Sequence, residues 1–419
     1  MISPLLLMVG QYTKTDRKSS MEATYLFYDI ETTGLNPCFD QILQFAAIRT
    51  DLSLNEIERH EVMIRLNRDV TPHPEAMKTH GISLEEISQG ENEYEAIKKI
   101  HRLFNTPGTI SLGYNTLGFD DEFLRFSFYR NLLPPYTHQF ANGCGRMDIY
   151  PMALLYYLFK PSNIVWPKID GRVSLKLENI NEANQFIKGQ SHLAMVDVEV
   201  TLALAKQLYE EREMWDYLCG YFVKAKDQKR LSSLTDGIVV SGKIGNANNF
   251  CAPAIPLGTH RVYNNQSLWL RMDDEAIQTL NTDNIPAVSF AIRKKPGETP
   301  IILPPQDRFL KKISSDRLAL AEENKTFLTK NTALLNEIQE HHRNYTYPEV
   351  ENIDADAALY TMPFPTREEE QLYYQFHQAS PLEKQNLMEL FQNPIRKQQA
   401  LRILGRHYPD VLSHENHCL

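Results

Sequence analysis

The sequence predicts an α/β domain, followed by a small β-rich domain and a helical C-terminal domain. Three observations support this order. Short apolar strands come first and then alternate with helical patterns, up to about residue 211. Brief β-like runs separated by turn signals follow between residues 237 and 303. Helical patterns then occupy residues 316–345 and 366–405. The predicted boundaries are 21–211, 212–345 and 346–419, after a loose N-terminal extension at 1–20.

The first domain is predicted to open with a β-meander. Tyr25–Asp29 is a short aromatic run that ends in a turn, and Gln41–Thr50 and Glu61–Leu66 continue the meander. Glu93–Phe104 carries apolar residues at helical spacing. The remaining elements expected in this domain are a strand at Thr109–Tyr114 and helices at Asp120–Leu133, Met147–Phe159 and Asp197–Glu211.

The second domain is predicted from four short β-like runs, at Gly237–Lys243, Ser267–Arg271, Ala287–Ile292 and Ile301–Leu303. Its charge differs from that of the rest of the chain. Residues 221–320 contain 14 Lys and Arg against 9 Asp and Glu, about +5 within a chain of net charge −9. This asymmetry indicates an anionic partner. The alternative is that Lys224, Lys226, Lys229 and Arg230 form only a solvated helix face.

Composition narrows the class of protein. With 42% hydrophobic and 23% charged residues in 419, the chain is globular rather than disordered. A net charge of −9 argues against bulk electrostatic binding of nucleic acid, although a local basic groove remains compatible with it. The five cysteines are odd in number and widely spaced, which argues against a disulfide framework or a zinc site. No apolar run reaches membrane-spanning length. We therefore expect a cytoplasmic protein.

Two carboxylates stand out on the first predicted strand. Asp29 and Glu31 are two residues apart, so their side chains point to the same face of the strand. Placing two carboxylates on a largely apolar strand is costly unless a cation neutralises them. Carboxylate oxygens are the protein ligands that Mg²⁺ prefers. Alone, the Asp-x-Glu pattern also fits an exposed strand end.

Two further acidic positions follow along the chain. Asp120 comes after the turn Tyr114–Gly118, close to the start of the next helix. His192 and Asp197 are five residues apart, which on an ideal helix separates their side chains by about 140°. We therefore place His192 in the loop before the helix and Asp197 inside it. Taken singly, Asp120 could be a helix cap, and His192 a surface or core histidine.

Taken together, the order Asp29-x-Glu31, then Asn115-x3-Phe119-Asp120, then His192-x4-Asp197 resembles the DEDD 3′–5′ exonucleases of the ribonuclease H-like fold, in the subgroup with a histidine. The chain is more specifically similar to the bacterial exonuclease I family, the single-strand-specific exodeoxyribonucleases. The segments that carry this similarity are Gln44–Asp51, Gly113–Glu122, Phe128–Asn131, Arg146–Asp148, Asn163–Pro167, Ser174–Asn179 and His192–Asp197. It continues more faintly to residue 412 and implies an exonuclease domain, an SH3-like β domain and a helical C-terminal domain.

The resemblance also implies roles for particular residues. Asp29, Glu31, Asp120 and Asp197 would hold two Mg²⁺ ions, for which Mn²⁺ can substitute. His192 would be the general base, and Thr32 would position the terminal nucleotide. The implied reaction degrades single-stranded DNA to 5′-mononucleotides, in DNA repair and recombination. The implied protein partner is the acidic C-terminal tail of single-strand-binding protein, contacted by Arg146 and Tyr217. We expect a monomer.

Two departures from the family pattern affect these expectations. Thr33 stands where an aromatic residue is common in exonuclease I, which gives DIETTG as in proofreading subunits of polymerases. The chain also ends at Leu419, so we expect a shortened C-terminal domain. The alternatives left open are a proofreading or RNA-trimming exonuclease of the same superfamily, and a nuclease-like binding module without catalysis. For Arg146, the alternative is an ion pair with Asp148 or another surface acid.

Overall fold

The computed structural model describes residues 22–189, 193–245, 249–289 and 291–412. The N-terminal extension predicted at residues 1–20 and the predicted base His192 lie outside these ranges. No helix within the described ranges is both long and apolar enough to cross a membrane.

A mixed five-stranded sheet forms the centre of the first domain, with strand order β3-β2-β1-β4-β5. The strands are β1 (Thr24–Thr32), β2 (Ile42–Thr50), β3 (Glu56–Met63), β4 (Thr109–Gly113) and β5 (Gly145–Asp148). The first three are antiparallel, as the predicted meander requires, and β4 and β5 run parallel to β1. The prediction for β3 began five residues too late, because this edge strand is mostly exposed and charged and lacks an apolar alternation.

Helices cover both faces of this sheet. Between the strands lie α1 (Pro74–His80), α2 (Leu84–Ser88), α3 (Glu93–Phe104) and α4 (Asp120–Arg130). After β5 come α5 (Ile149–Phe159), the small hairpin β6 (Lys168–Ile169) and β7 (Arg172–Val173), α6 (Leu177–Asn184) and α7 (Ala194–Tyr209). The bounds of α3 match the prediction, and α7 begins three residues earlier than predicted.

The alternation of β1 separates two hydrophobic clusters. Tyr25 and Phe27 pack on one face of the sheet, in the cluster that contains α5 and α7. Leu26, Tyr28 and Ile30 pack on the other face, against α3 and α4. Asp29 and Glu31 continue the first of these two rows. The catalytic carboxylates predicted from the sequence therefore lie on the α7 side of the sheet.

The β-rich part is a second, antiparallel sheet with strand order β11-β10-β9-β8-β12. Two helices, α8 (Arg212–Cys219) and α9 (Lys224–Ser232), precede it. Its elements are β8 (Gly237–Val240), β9 (Cys251–Thr259), β10 (Ser267–Arg271), the short helix α10 (Ile285–Val288), β11 (Ala291–Lys294) and β12 (Ile301–Leu303).

The sequence analysis missed one strand of this sheet and misplaced another. The central strand β9 was not predicted, because Pro253 and Pro256 lie within it and prolines usually argue against a central strand. A register shift opposite Pro256 accommodates one of them. The run Ala287–Ile292 was wrongly predicted as a strand throughout. Its first residues belong to α10, which has Pro286 in its first turn, and β11 begins only at Ala291.

Helices complete the chain. The described ones are α11 (Asp307–Leu310), α12 (Ser315–Lys330), α13 (Thr332–Asn344), α14 (Arg367–Gln378), α15 (Pro381–Met388) and α16 (Pro394–His407). Helices α12 and α13 cover the second sheet. The last three pack on the first domain, where Phe376 and Leu404 share a cluster with Tyr94. Because hydrophobic clusters cross both proposed boundaries, the limits at 211 and 345 remain predictions.

A buried ion pair fastens α4 to α3. The Glu93 carboxylate accepts hydrogen bonds from the Arg130 guanidinium and from the Asn67 side-chain amide. Glu93 is 0% exposed and Arg130 4%. Burial alone would raise the pKa of Glu93. The charge of Arg130, together with those of His407 and Arg406 in α16, lowers this pKa to about 2. Removing either partner would leave an uncompensated buried charge.

We predict that Arg130→Ala lowers the free energy of unfolding by about 3–5 kcal/mol, the cost of breaking a buried pair. Urea denaturation at pH 7 measures this loss. The matched control is Lys99→Ala, which removes an exposed partner of Glu91 and should cost at most about 1 kcal/mol. Equal effects of the two substitutions would contradict the assignment of Glu93–Arg130 as a stabilising buried pair.

Candidate active site

The site begins at the carboxyl end of β1, where the strand leaves the hydrophobic core. Asp29 and Glu31 are half-buried on the α7 face. In the adjacent strand, Asp29 pairs with Ala46 and Glu31 with Gln44, and the register shifts after Glu31. The two carboxylates are therefore fixed by the sheet itself.

Helix α7 brings the third carboxylate. Asp197 lies in the first turn of α7, and Val198 and Leu202 of the same helix pack into the core beneath β1. The backbone N–H of Ala194 donates to Gln44 Oε1 over 3.2 Å, which fixes the start of α7 beside β2. As a result, the ligand atoms of Asp29, Glu31 and Asp197 all lie within 4.8 Å of one another.

The fourth carboxylate comes from the turn between β4 and α4. Asp120 is the first residue of α4 and is buried. The chain reaches it through Gly113, where an added Cβ would lie 2.4 Å from the carbonyl oxygen of Tyr28 in β1. A side chain at this position would push β4 away from β1. Asp120 is not in the group of three whose ligand atoms lie within 4.8 Å of one another, but its charge contributes to the raised pKa of both Asp29 and Glu31.

The electrostatics of these acids are unfavourable without a cation. Burial holds the pKa of Asp29 well above its usual range. The negative charges of Asp120, Glu31 and Asp197 raise this pKa further. Burial is the main cause that raises the pKa of Glu31 to about 8, and the negative charges of Asp197 and Asp120 contribute to this shift. Burial also raises the pKa of Asp120 to about 8, although backbone N–H groups oppose this shift. The residues thus fit a divalent metal, which is bound by carboxylate oxygens and relieves their repulsion.

The structure gives Thr32 a local partner. Its side chain is buried, and its hydroxyl donates to the carbonyl oxygen of Gly34 over 2.7 Å. The hydroxyl therefore closes the turn that follows the two carboxylates of β1. The residue next to His192, Leu193, packs beside Ile82 and Ile87 and precedes the first turn of α7.

Two aspartates near the site were not predicted to have structural roles. Asp148, at the end of β5, accepts hydrogen bonds from the backbone N–H groups of Asn115, Leu117 and Tyr150. It thereby shapes the turn before Asp120 and caps α5. Its position directly before the apolar helix Ile149–Phe159 is an N-cap signal that the sequence does carry.

Asp121 is the second such aspartate. It is 0% exposed and forms ion pairs with Arg125 over 2.6 Å and with Arg146 over 2.5 Å. His138 lies 3.3 Å away on its other oxygen. Burial opposes the charge of Asp121, but Arg146 and Arg125 hold its pKa well below the usual range. Arg146 and His138 are distant from Asp121 in the sequence, so no local sequence pattern predicts this cluster of ion pairs.

The two residues predicted to contact a protein partner are Arg146, on β5, and Tyr217, on α8. Arg146 is largely buried, and besides Asp121 it binds Glu298 Oε1 over 2.7 Å, on the turn between β11 and β12. It thus pairs with acids, as the alternative interpretation held, although Asp148 is not among those partners in the described residues. Tyr217 is 37% exposed, and the Arg230 guanidinium lies 4.5 Å from its ring centroid.

The basic excess of residues 221–320 is only partly available at the surface. Lys224, Lys226 and Lys229 on α9 are exposed. Lys294, in contrast, is completely buried and pairs with Asp227 over 2.6 Å. Two of the three tryptophans, Trp215 and Trp269, are core residues. Trp166 is half-buried and lies edge-on to Tyr157.

Comparison with known proteins agrees with this geometry. The RNase_T family, described as an exonuclease, matches residues 26–205. Exodeoxyribonuclease I of Escherichia coli is 34% identical over 274 residues, which are 63% of this chain and 57% of that protein. The chain therefore aligns with about half the length of the curated relatives it matches.

Solved structures extend the similarity. E. coli exonuclease I in complex with a dA16 oligonucleotide superposes with a TM-score of 0.86 at 26% identity, covering 95% of this chain and 89% of that one. A structure of single-strand-binding protein and exonuclease I with an inhibitor superposes with a TM-score of 0.82 at 26% identity and the same coverage.

Residues 26–205 thus match the RNase_T exonuclease family and have a ribonuclease H-like fold. The chain is similar to exodeoxyribonuclease I in sequence over 63% of its length and to E. coli exonuclease I in structure over 95% of its length. This confirms the family resemblance and the fold class predicted from the sequence motifs.

The raised pKa values lead to a prediction about stability. Carboxylates whose pKa is raised by folding favour the folded state at low pH, and this contribution is lost as pH rises through the folded pKa. For Glu31 and Asp120 that pKa is about 8. In EDTA, the melting temperature should therefore fall between pH 6 and pH 9. Adding Mg²⁺ or Mn²⁺ should raise it, and most at pH 9. Thermal denaturation measures both effects.

The variant Asp29→Asn provides the control. Removing one charge from the cluster should raise the melting temperature in EDTA and flatten its decline with pH. It should also reduce stabilisation by the metal. A wild-type melting temperature that is constant or rises from pH 6 to pH 9 in EDTA would refute the interpretation of these carboxylates as a repulsive cluster.

Proposed function

We propose that this protein is a 3′–5′ exonuclease that degrades single-stranded DNA to 5′-mononucleotides, in DNA repair and recombination. The observation that carries the proposal is the grouping of Asp29, Glu31 and Asp197 within 4.8 Å, inside a domain of an exonuclease family. The relatives called exodeoxyribonuclease I and the similar structure with a dA16 oligonucleotide support DNA as substrate.

Asp29, Glu31, Asp120 and Asp197 would hold two Mg²⁺ ions. When bound, such a pair supplies an activated water and stabilises the attacking and leaving oxygens of an in-line displacement at phosphorus. The chain's own contribution is rigidity. Sheet pairing fixes Asp29 and Glu31, the Gln44 contact fixes the start of α7, and Asp148 fixes the turn before Asp120.

His192 is proposed as the general base. An imidazole with a pKa near 6.5 is partly neutral at working pH and can accept a proton from the attacking water. Thr32 is proposed to position the terminal nucleotide through the turn that its hydroxyl closes. Exposed Lys224, Lys226 and Lys229 are candidates for tracking the phosphate backbone.

Digestion of 5′-labelled substrates with Mg²⁺ tests the function. Single-stranded DNA should shorten from its 3′ end and release 5′-mononucleotides, while duplex DNA and RNA should be cut much more slowly. Faster cleavage of RNA would favour the RNA-trimming alternative, and preference for mismatched duplex ends would favour proofreading. Binding of DNA with no cleavage would favour a non-catalytic module.

We predict that Asp29→Asn or Asp197→Asn lowers the cleavage rate at least about 10²–10³-fold, as the loss of one charge-stabilising group does. His192→Ala should lower the rate about 10²–10⁴-fold with DNA affinity retained. The matched control is Glu199→Gln on the same helix, whose carboxylate pairs with Arg59 instead. Near-normal rates in either aspartate variant would reject the site assignment.

We further propose that the acidic C-terminal tail of single-strand-binding protein docks at Arg146 and Tyr217. The similar structure of single-strand-binding protein with exonuclease I motivates this partner. An arginine can take a terminal carboxylate in bidentate fashion. Here Glu298 already occupies one edge of the Arg146 guanidinium, so the incoming carboxylate would have to displace it.

We predict that Arg146→Ala weakens binding of a tail peptide by about 1.5–3 kcal/mol, the worth of a charge-assisted hydrogen bond. Glu298→Gln should strengthen binding, because it removes a competing carboxylate. Fluorescence anisotropy at low salt measures both, and Arg59→Ala on β3 is a control for general loss of charge. The docking site would be wrong if Arg146→Ala and Arg59→Ala had the same effect.

A cytoplasmic location and a monomeric state remain predictions. The described cysteines Cys38, Cys144, Cys219 and Cys251 are free thiols, as expected for a reducing compartment.

A further inference from the structure

A cavity of about 390 Å³ lies where the end of β3, the start of α3 and the end of α16 meet. It is separate from the carboxylate cluster and is shared by the first domain and the C-terminal helices. Its polar lining residues are Arg65, Asn67, Arg68, Asn92, Arg406 and His407. No Asp or Glu is among the described residues that line it. A concave site with three guanidinium groups and no carboxylate has the chemistry of an anion site.

Two of the three arginines bring uncompensated charge. The charge of Arg406 is compensated, because its guanidinium forms ion pairs with Asp69 and Asp356. Arg65 and Arg68 are exposed, and neither forms an ion pair with a carboxylate among the described residues. The rim of the cavity therefore carries about two net positive charges, while the chain as a whole carries −9.

His407 and Asn92 form part of the wall of the cavity. The Nε2 atom of His407 is buried and has no hydrogen-bond partner within the described chain. The His407 ring is stacked on Tyr94, with centroids 6.1 Å apart, so its orientation is fixed. Asn92 is the N-cap of the twelve-residue helix α3, and its side-chain oxygen accepts from the backbone N–H of Glu95 over 3.1 Å.

The cavity is also linked to the active-site turn. Gln41 donates to the carbonyl oxygen of Arg65 over 2.8 Å and accepts from the backbone N–H of Asn67 over 2.8 Å. The backbone N–H of Gln41 in turn donates to Thr33 Oγ1 over 2.9 Å. One residue thus joins the wall of the cavity to the turn that follows the metal-binding strand.

We propose that this cavity binds a phosphomonoester, such as the phosphate of a 5′-mononucleotide, between Arg65 and Arg68. A phosphomonoester carries about −1.5 to −2 charges at pH 7, which matches the two uncompensated guanidinium groups. The volume is within the range of about 300–1,000 Å³ for small-molecule sites. A 5′-mononucleotide is also the product of the proposed nuclease reaction, but the cavity and its charge do not depend on that activity.

Isothermal titration calorimetry of the full chain in EDTA tests the proposal, because no metal then supports binding at the carboxylates. The probes are deoxyadenosine 5′-monophosphate, deoxyadenosine and inorganic phosphate. The monophosphate and phosphate should bind, and deoxyadenosine should not. The double variant Arg65→Ala/Arg68→Ala should weaken binding of the monophosphate at least about 10-fold. An Asp29→Asn chain should bind it as wild type does.

The control variant is Arg102→Ala. Arg102 is an exposed arginine on the same helix as Asn92 but about 15 Å further along it. It should leave affinity unchanged, and melting temperatures verify that all variants fold. No binding of the monophosphate in EDTA, or equal affinity in the double variant, would overturn the proposal. So would an oligonucleotide without a terminal phosphate that competes as well as the monophosphate, since this would assign the cavity to a strand backbone.

Discussion

The rest of this structure depends on repulsion among four carboxylates. Two of them lie on strand β1, and the other two lie in the first turns of helices α4 and α7. Asp29 and Glu31 cannot separate, because β1 fixes them on one face of the sheet, in the row whose earlier members Tyr25 and Phe27 are in the core. Asp120 and Asp197 are brought to them by helices that pack on opposite faces of that sheet. The fold therefore holds the carboxylates in an arrangement that protons or a metal cation must neutralise, and a metal-dependent nuclease needs such an arrangement.

The pKa values of two adjacent aspartates in this region are shifted in opposite directions. Asp120 has its pKa raised to about 8, whereas Asp121 has its pKa held well below the usual range. Both are buried, so burial cannot explain the difference. The difference comes from the neighbouring charges, because the negative charges of Asp148 and Asp121 add to the effect of burial at Asp120, whereas Arg146 and Arg125 outweigh burial at Asp121. Through Arg146 and Glu298, Asp121 also connects the start of α4 to the β-rich part of the chain.

The sequence predicted those features that depend on local pattern. The common face of Asp29 and Glu31 follows from strand periodicity, and α3 follows from helical spacing. Strand β9 could not be predicted in this way, because its pairing with β8 and β10 overrides the local signal of two prolines. The partners of Arg146 were also inaccessible, since Asp121 and Glu298 are brought to it only by the tertiary fold. Buried Lys294 shows the same limit, because a count of charges cannot tell an internal ion pair from a surface groove.

Helix α4 links the buried Glu93–Arg130 ion pair to the turn that follows β1. Its first residue is the carboxylate Asp120, and its last is Arg130. While Arg130 pairs with Glu93, its Nη1 atom also donates to the carbonyl oxygen of Asp40 over 3.0 Å. The Asp40 side chain in turn accepts from Thr33 Oγ1 over 3.0 Å, in the turn that follows Asp29 and Glu31 of β1. The two ends of one helix thus hold an acid of the cluster and the turn beside it. Replacement of the pair by apolar residues could preserve stability, but it would remove the donor that fixes this turn.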